Sequence, residues 1–159
     1  MTETEKFFEK MKGRKVAFIG IGVSHLDCIR LFAQKGIETE ARDKADREKL
    51  GGIADELEAL GVKLILGENY LDNIDADVIF RTPGMNWWNP ALVSLREAGK
   101  AVTSEMEVFF DICPSNIIAV TGSDGKTTTT TLIYTMLKES GFNLNLNMTF
   151  VRSNVHQIK

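Results

Sequence analysis

The stretch "KVAFIGIGVSHLDCIRLFAQKG", residues 15–36, decides the fold. Its first six residues form an apolar run closed by Gly20, the pattern of a buried strand. The last twelve place Leu26, Ile29, Leu31 and Phe32 on or near one helical face and stop at Gly36. Between strand and helix lies Gly20-Ile21-Gly22-Val23-Ser24-His25. A dinucleotide fingerprint asks for a third glycine where His25 stands. The first two glycines still let backbone amides approach a ligand, and the helix start offers its positive dipole end to an anion. Asp43 ends the next strand, where such folds place an acid against a ribose hydroxyl. On these residues alone the turn admits a nicotinamide dinucleotide, another nucleotide, or a plain structural turn. His25 is expected as a polar residue at a helix start, not as a catalyst.

Outward from this unit the alternation continues. A short amphipathic helix (residues 3–11) precedes it. "IETEA" predicts a second strand, and "DREKLGGIADELEALG" a helix weakened by Gly51-Gly52. "VKLIL" and "ADVIFRT" predict further strands. Asn89-Pro90 supplies an N-cap and an N1 proline for "ALVSLREAG". "KAVTS" and "EMEVFFDI" predict one more strand and helix. Strand and helix in alternation predict an α/β fold with a Rossmann-like, mostly parallel sheet. Thr82-Pro83-Gly84 closes the fourth strand, at the sheet end where ligands bind in such folds. Trp87 and Trp88 are expected to pack under that loop.

Cys113-Pro114-Ser115 interrupts the alternation, and a domain boundary is placed there. Domains are expected over residues 1–113 and 114–159. "NIIAV" predicts a new strand, followed by "TGSDGKTTTTTL" (residues 121–132) and a helix from about Lys126 to Ser140. The general phosphate loop is G-x-x-x-x-G-K-[ST]. Gly125-Lys126-Thr127 supplies its end, but Val120 stands where the first glycine belongs. Gly122 and Gly125 let the backbone curl its amides around phosphate oxygens. Lys126 is placed against β- and γ-phosphates, and the Thr127 hydroxyl against Mg²⁺. Asp124 is discordant in an anion nest. The run Thr127 to Thr131 is unusual for a helix, because β-branched residues are poor helix formers, and suits hydroxyls facing phosphate or metal.

The chain has 159 residues, 43% hydrophobic and 26% charged, with net charge −3. That balance suits a globular chain with a core and gives no basic surface for nucleic acid. No apolar run approaches the roughly 20 residues of a membrane span, and the charged start has no signal-peptide core. Cys28 and Cys113 lack metal-site spacing and are expected as small buried residues in a reducing cytoplasm.

"AVTGSDGKTTTT" resembles the ATP loop of the Mur ligase family, whose pattern [ST]-G-[ST]-x-G-K-[ST]-[ST] lacks the earlier glycine. Folylpolyglutamate synthetases share a related loop, so the loop fixes only the superfamily. "FIGIGVSHLDCIRLFAQKG", "RTPGM" and "VTSEMEVFF" resemble the branch of the family that joins D-glutamate to UDP-N-acetylmuramoyl-L-alanine. The match runs over about residues 14–142. The resemblance implies that residues 1–113 bind UDP instead of a dinucleotide, with Gly22, Val23 and Ser24 on the diphosphate side. It sets Asp43, with Lys44 beside it, against uracil, and borders the base with Thr82, Pro83 and Gly84. It implies that Gly122, Ser123, Asp124, Gly125, Lys126, Thr127 and Thr128 surround ATP, with Mg²⁺ on Thr127 and Lys126 as the catalytic cation. The implied reaction is ADP-forming amide synthesis through an acyl phosphate, in cytoplasmic peptidoglycan precursor synthesis. Residues 143–159, "NLNLNMTFVRSNVHQIK", depart from the family, although Leu144, Leu146, Met148 and Phe150 alternate like a strand. The chain is therefore expected to be an inactive amino-terminal piece holding only the start of the ATP-binding domain. A UDP-sugar-binding module and a nicotinamide-dependent oxidoreductase are the alternatives.

Overall fold

After its first residue, every position of β1 (Lys15–Ile19) is buried, as a parallel strand covered on both faces requires. In the computed structural model, which describes residues 1–143, β1 is central in a five-stranded sheet. It pairs in parallel with β2 (Glu38–Asp43) and β4 (Val78–Arg81), so that Phe18 lies between Ala41 and Phe80. β3 (Lys63–Leu66) and β5 (Ala101–Thr103) are the parallel edges, giving the order β3-β2-β1-β4-β5. α1 (Glu3–Met11) precedes the sheet. α2 (Val23–Gln34) joins β1 to β2, and α3 (Arg47–Leu50) with α4 (Gly52–Ala59) joins β2 to β3. α5 (Pro90–Glu97) joins β4 to β5, and α6 (Glu105–Ile112) follows. After β3 the chain returns past β1 to start β4, which creates a topological switch point between β1 and β4.

Because strand side chains alternate, β1 feeds two cores. Val16 and Phe18 join Ile29, Phe32, Leu57 and Phe80 on one face. Ala17 and Ile19 join Ile79 and Leu92 on the other. Phe18 stacks on Phe80 with ring centroids 4.7 Å apart, and Phe32 meets both rings edge-on. α1 carries Phe7 and Phe8 onto this cluster, and a capping box between Thr2 and Glu5 starts it. Full burial of each such side chain is worth about 1.5–3 kcal/mol, so these contacts set where the strand ends lie.

The chain divides into two units, Met1–Pro114 and one that begins at Ser115. The second contains α7 (Lys126–Glu139), which has no buried residue. Four expectations change. The single helix over residues 46–61 is two helices, since Gly51 interrupts the ladder before α4. Residues 116–120, predicted as a strand, are not one: no strand pairs with them among the described residues, and a strand needs a neighbour to form its hydrogen bonds. Cys28 and Cys113 are half-buried, not fully buried. Trp88 is 71% exposed instead of packed, because Arg96 lies closely over Trp87, at 4.1 Å, and only at 6.0 Å from the Trp88 ring centre. The alternating residues from Leu144 onward lie outside the described residues.

Candidate functional site

The turn after β1 is held by backbone bonds to both neighbouring strands. Gly20 N–H donates to Arg42 O at 2.6 Å, and Thr82 N–H donates to Ile19 O at 3.1 Å. Gly20 has φ 99°, and a Cβ there would stand 3.3 Å from Thr82 Cβ. Only glycine meets both conditions without strain. Asp43, at the end of β2, accepts from Ile21 N–H at 2.6 Å and from Ala45 N–H at 2.7 Å. Its carboxylate therefore ties the β1 turn to the β2 end while each oxygen keeps a further lone pair.

A cleft of about 390 Å³ opens at these strand ends, at the switch point where open α/β sheets bind ligands. It brings together Asp43 and Lys44 with Thr82 and Gly84, as the sequence suggested. Gly22, Val23 and Pro83 are not among its walls; Val23 starts α2 and points into solvent. Ser24 sits in the first turn of the same helix. Sequence reasoning missed Tyr70, Met85, Asn86 and Asn89, which complete the lining. Asn89 was visible only as a helix cap, and its side chain does accept from Ala91 N–H at 2.9 Å.

Tyr70 reaches the cleft through Arg42, another omission. Arg42 is 3% exposed. It donates to Glu40 at 2.6 Å and to the carbonyls of Tyr70, Asp72 and Asn73 at 3.1, 2.8 and 3.3 Å. A buried guanidinium on so many acceptors fixes the β3–β4 loop, since leaving any one unpaired is costly. A smaller hollow of about 90 Å³ lies at the opposite strand ends, where Lys15 is paired to Asp75 at 3.0 Å.

His25 is not simply a helix-start residue: it is fully buried. Nδ1–H donates to Gly20 O at 2.8 Å, and the ring meets Phe18 edge-on. Burial holds its pKa below the ordinary value, against the raising influence of the Gly20 and Arg81 carbonyls. Burial likewise pushes the Cys28 thiol up, with Asp27 adding to it.

In the second unit, Gly125 caps α7 at φ 71° with no side-chain bond to the helix start, leaving first-turn amides free for an anion. Lys126 Nζ folds back to donate to the carbonyls of Gly122 and Ser123, the latter at 2.9 Å. Ser123, Asp124, Thr127 and Thr128 are exposed around it. The threonines divide: Thr130 donates to Lys126 O at 2.8 Å and Thr135 to Thr131 O at 2.9 Å. Those two hydroxyls serve the helix backbone, while Thr127 and Thr128 stand at the loop. Among the described residues no three His, Cys, Asp or Glu side chains gather as a metal set. No helix among them is long and apolar enough to cross a membrane.

A parallel sheet with a switch-point cleft, and a separate glycine-lysine-threonine loop at a helix start, define an α/β class of chain. The sequence model of the Mur ligase middle domain matches residues 120–157. The chain is 51% identical to UDP-N-acetylmuramoylalanine–D-glutamate ligase of Acetivibrio thermocellus over 142 residues, 89% of this chain and 30% of that protein. It is 53% identical to the ligase of the same name from Clostridium botulinum strain Loch Maree, over 86% of this chain and 30% of that one. A murein peptide ligase from Psychrobacter arcticus shares the fold, with TM-score 0.51 and 22% identity, over 81% of this chain and 27% of its own. These matches establish the likeness to the Mur ligase family, and the chain spans about 30% of the length of the two curated relatives.

Proposed function

We propose that this chain supplies the UDP-substrate unit and the ATP loop of a ligase joining D-glutamate to UDP-N-acetylmuramoyl-L-alanine. The observation that carries the reading is the switch-point cleft, where Asp43 and Thr82 converge in a chain 51% identical to a ligase of that name. Asp43 keeps lone pairs for the uracil N–H, Lys44 stands beside it, and Thr82, Pro83 and Gly84 border the base. Gly22, Val23 and Ser24 present the amides at the start of α2 to the diphosphate. In the whole ligase the substrate carboxylate takes the γ-phosphoryl of ATP, releasing ADP. The D-glutamate amine then displaces phosphate to form the amide and gives up a proton. The setting is peptidoglycan precursor synthesis in the cytoplasm, and hence cell-wall growth, division and shape.

Residues of the second unit fit a nucleotide phosphate by their donors. Gly122, Ser123, Asp124, Gly125, Lys126, Thr127 and Thr128 form the cradle, with free amides at the start of α7. The carbonyls that now hold Lys126 would yield it to phosphate oxygens, where its charge opposes that of the transferred group. Thr127 would hold Mg²⁺, which supplies charge neutralisation when bound. We also propose that the chain alone does not turn over. Leu132 and Met136 of α7 are 58% and 69% exposed, which supports a second unit that needs more chain to enclose its loop.

Calorimetric titration with UDP, UDP-N-acetylmuramoyl-L-alanine, ATP and NAD tests the reading. The uridine ligands are expected to bind and NAD to give no heat. Tight NAD binding without a uridine response would instead favour an oxidoreductase. Binding of uridine ligands with no ATP response would favour a UDP-sugar-binding module. Phosphate release with all substrates above that of a Lys126→Ala control would refute the proposed inactivity.

A further inference from the structure

Across from Gly20, the second ring nitrogen of His25 faces Glu105. Nε2 lies 2.8 Å from Glu105 Oε1, the imidazole fully buried and the carboxylate side chain 18% exposed. By hydrogen-bond geometry neither atom has a partner among the described residues, each other included, and the Arg81 carbonyl also lies near the ring. Since Nδ1–H is committed to Gly20 O, a neutral imidazole leaves Nε2 as a bare acceptor. Two acceptors do not approach to hydrogen-bond distance unless a proton lies between them. The pair also joins two ends of the unit. His25 stands in the first turn of α2, bonded to the glycine that shapes the cleft. Glu105 is the first residue of α6, whose cap Ser104 is buried.

We propose that His25 and Glu105 share a proton and act as positioning residues, clasping the Gly20 turn to α6 so that the nucleotide cleft keeps its shape. This rests on the reading of that cleft as a uridine nucleotide site. Of the charged groups on neighbouring elements, Arg81 keeps its Nε buried and unpaired, and the rest are committed elsewhere. The Asp43 carboxylate is on the Ile21 amide at 2.6 Å, Arg81 lies over the Trp87 ring, and Asp27 and Arg30 on α2 pair with each other at 2.9 Å. Glu105 is therefore the acidic group that meets the imidazole. The clasp exists while the pair holds its proton, the Glu105 carboxylate at 2.8 Å opposing the lowering effect of burial on the imidazole, and opens as rising pH removes it.

Glu105→Gln separates the proton from the contact. The amide can donate its N–H to neutral Nε2 or turn its oxygen to a protonated one, so the clasp should persist in either state and lose its pH dependence. Two readouts are used. First, imidazole NMR of His25 follows its titration directly; the chain has two histidines, and His156→Gln leaves one signal. The His25 titration should shift by about one pH unit or more in Glu105→Gln. Superimposable curves in the two proteins would overturn the shared proton. Second, UDP affinity of the unmodified chain should fall about tenfold as the pair deprotonates, a one-unit linkage, and stay flat in Glu105→Gln. His25→Ala should bind weakly at every pH. Equal pH profiles with and without Glu105 would overturn the positioning role. Coupled His25 titration in a chain that binds no UDP at any pH would mean that the nucleotide reading, not the proton pair, is wrong.

Discussion

The two units build their candidate sites by opposite means. In the first, the cleft gathers residues from Ile19 to Asn89, brought together by parallel strands. In the second, seven consecutive residues, Gly122 to Thr128, form the loop on the start of one helix. A site assembled from strand ends depends on its core, whereas a loop on a helix start is local. Removing core atoms should therefore damage the first and spare the second.

The largest expected effect tests that contrast. Ile79 is fully buried in the central sheet, and Ile79→Ala should cost about 2–5 kcal/mol of stability in urea titration. Leu132→Ala, on exposed surface of α7, should stay within about 0.5 kcal/mol. Equal costs would remove the contrast. Next in size is Asp43→Asn. One of its two amide contacts would face an N–H group, at a cost of about 1–3 kcal/mol, and UDP affinity should fall in calorimetry. Unchanged stability would mean that the Asp43 latch does not hold the turn. Lys126→Ala should then abolish ATP binding while leaving the melting temperature and the UDP affinity alone.

The smallest effect is one of pH. Glu58 has its pKa held below the usual 4.5, first by hydrogen bonds from Arg47 and then by its charge. A depressed carboxyl pKa gives stability that is present above the unfolded value and lost as pH falls through the folded one. Because the pair is exposed, Glu58→Gln should barely move the denaturation midpoint at neutral pH, and should shrink the difference between neutral and acid midpoints only slightly. High salt should shrink it in the same way.

Much of the first unit was legible because its signals are local. The helix over residues 3–11, the Asn89 cap with Pro90, and the strands around Gly20 follow from periodicity and punctuation. Asp43, Thr82 and Gly84 were singled out because strand ends are predictable from strands, Lys44 came only with the family resemblance, and one cleft gathers the four. Glu105 and Arg42 were not. Each acts on residues far along the chain, Glu105 on His25 and Arg42 on the loop from Tyr70 to Asn73, and no spacing rule encodes such a meeting. The fingerprint pointed away from His25, since a missing third glycine looks like a defect until its replacement proves to be a buried side chain. The predicted strand at residues 116–120 erred for a related reason: apolar composition marks a segment able to pair, not the presence of its neighbour.

Trp87 and Trp88 also give the cleft an optical readout. Arg96 places its guanidinium 4.1 Å from the Trp87 ring centre, and Arg81 approaches to 5.2 Å, while Trp88 is largely exposed to water. The chain has two tryptophans, adjacent in sequence, one pressed against two cations and one largely exposed with Arg96 6.0 Å from its ring centre, next to cleft residues Met85 and Asn86. Their emission should therefore separate into a cation-contacted and a water-relaxed component. A ligand that orders the rim would change the balance between them, so binding to the cleft can be followed in the unlabelled chain by its own colour.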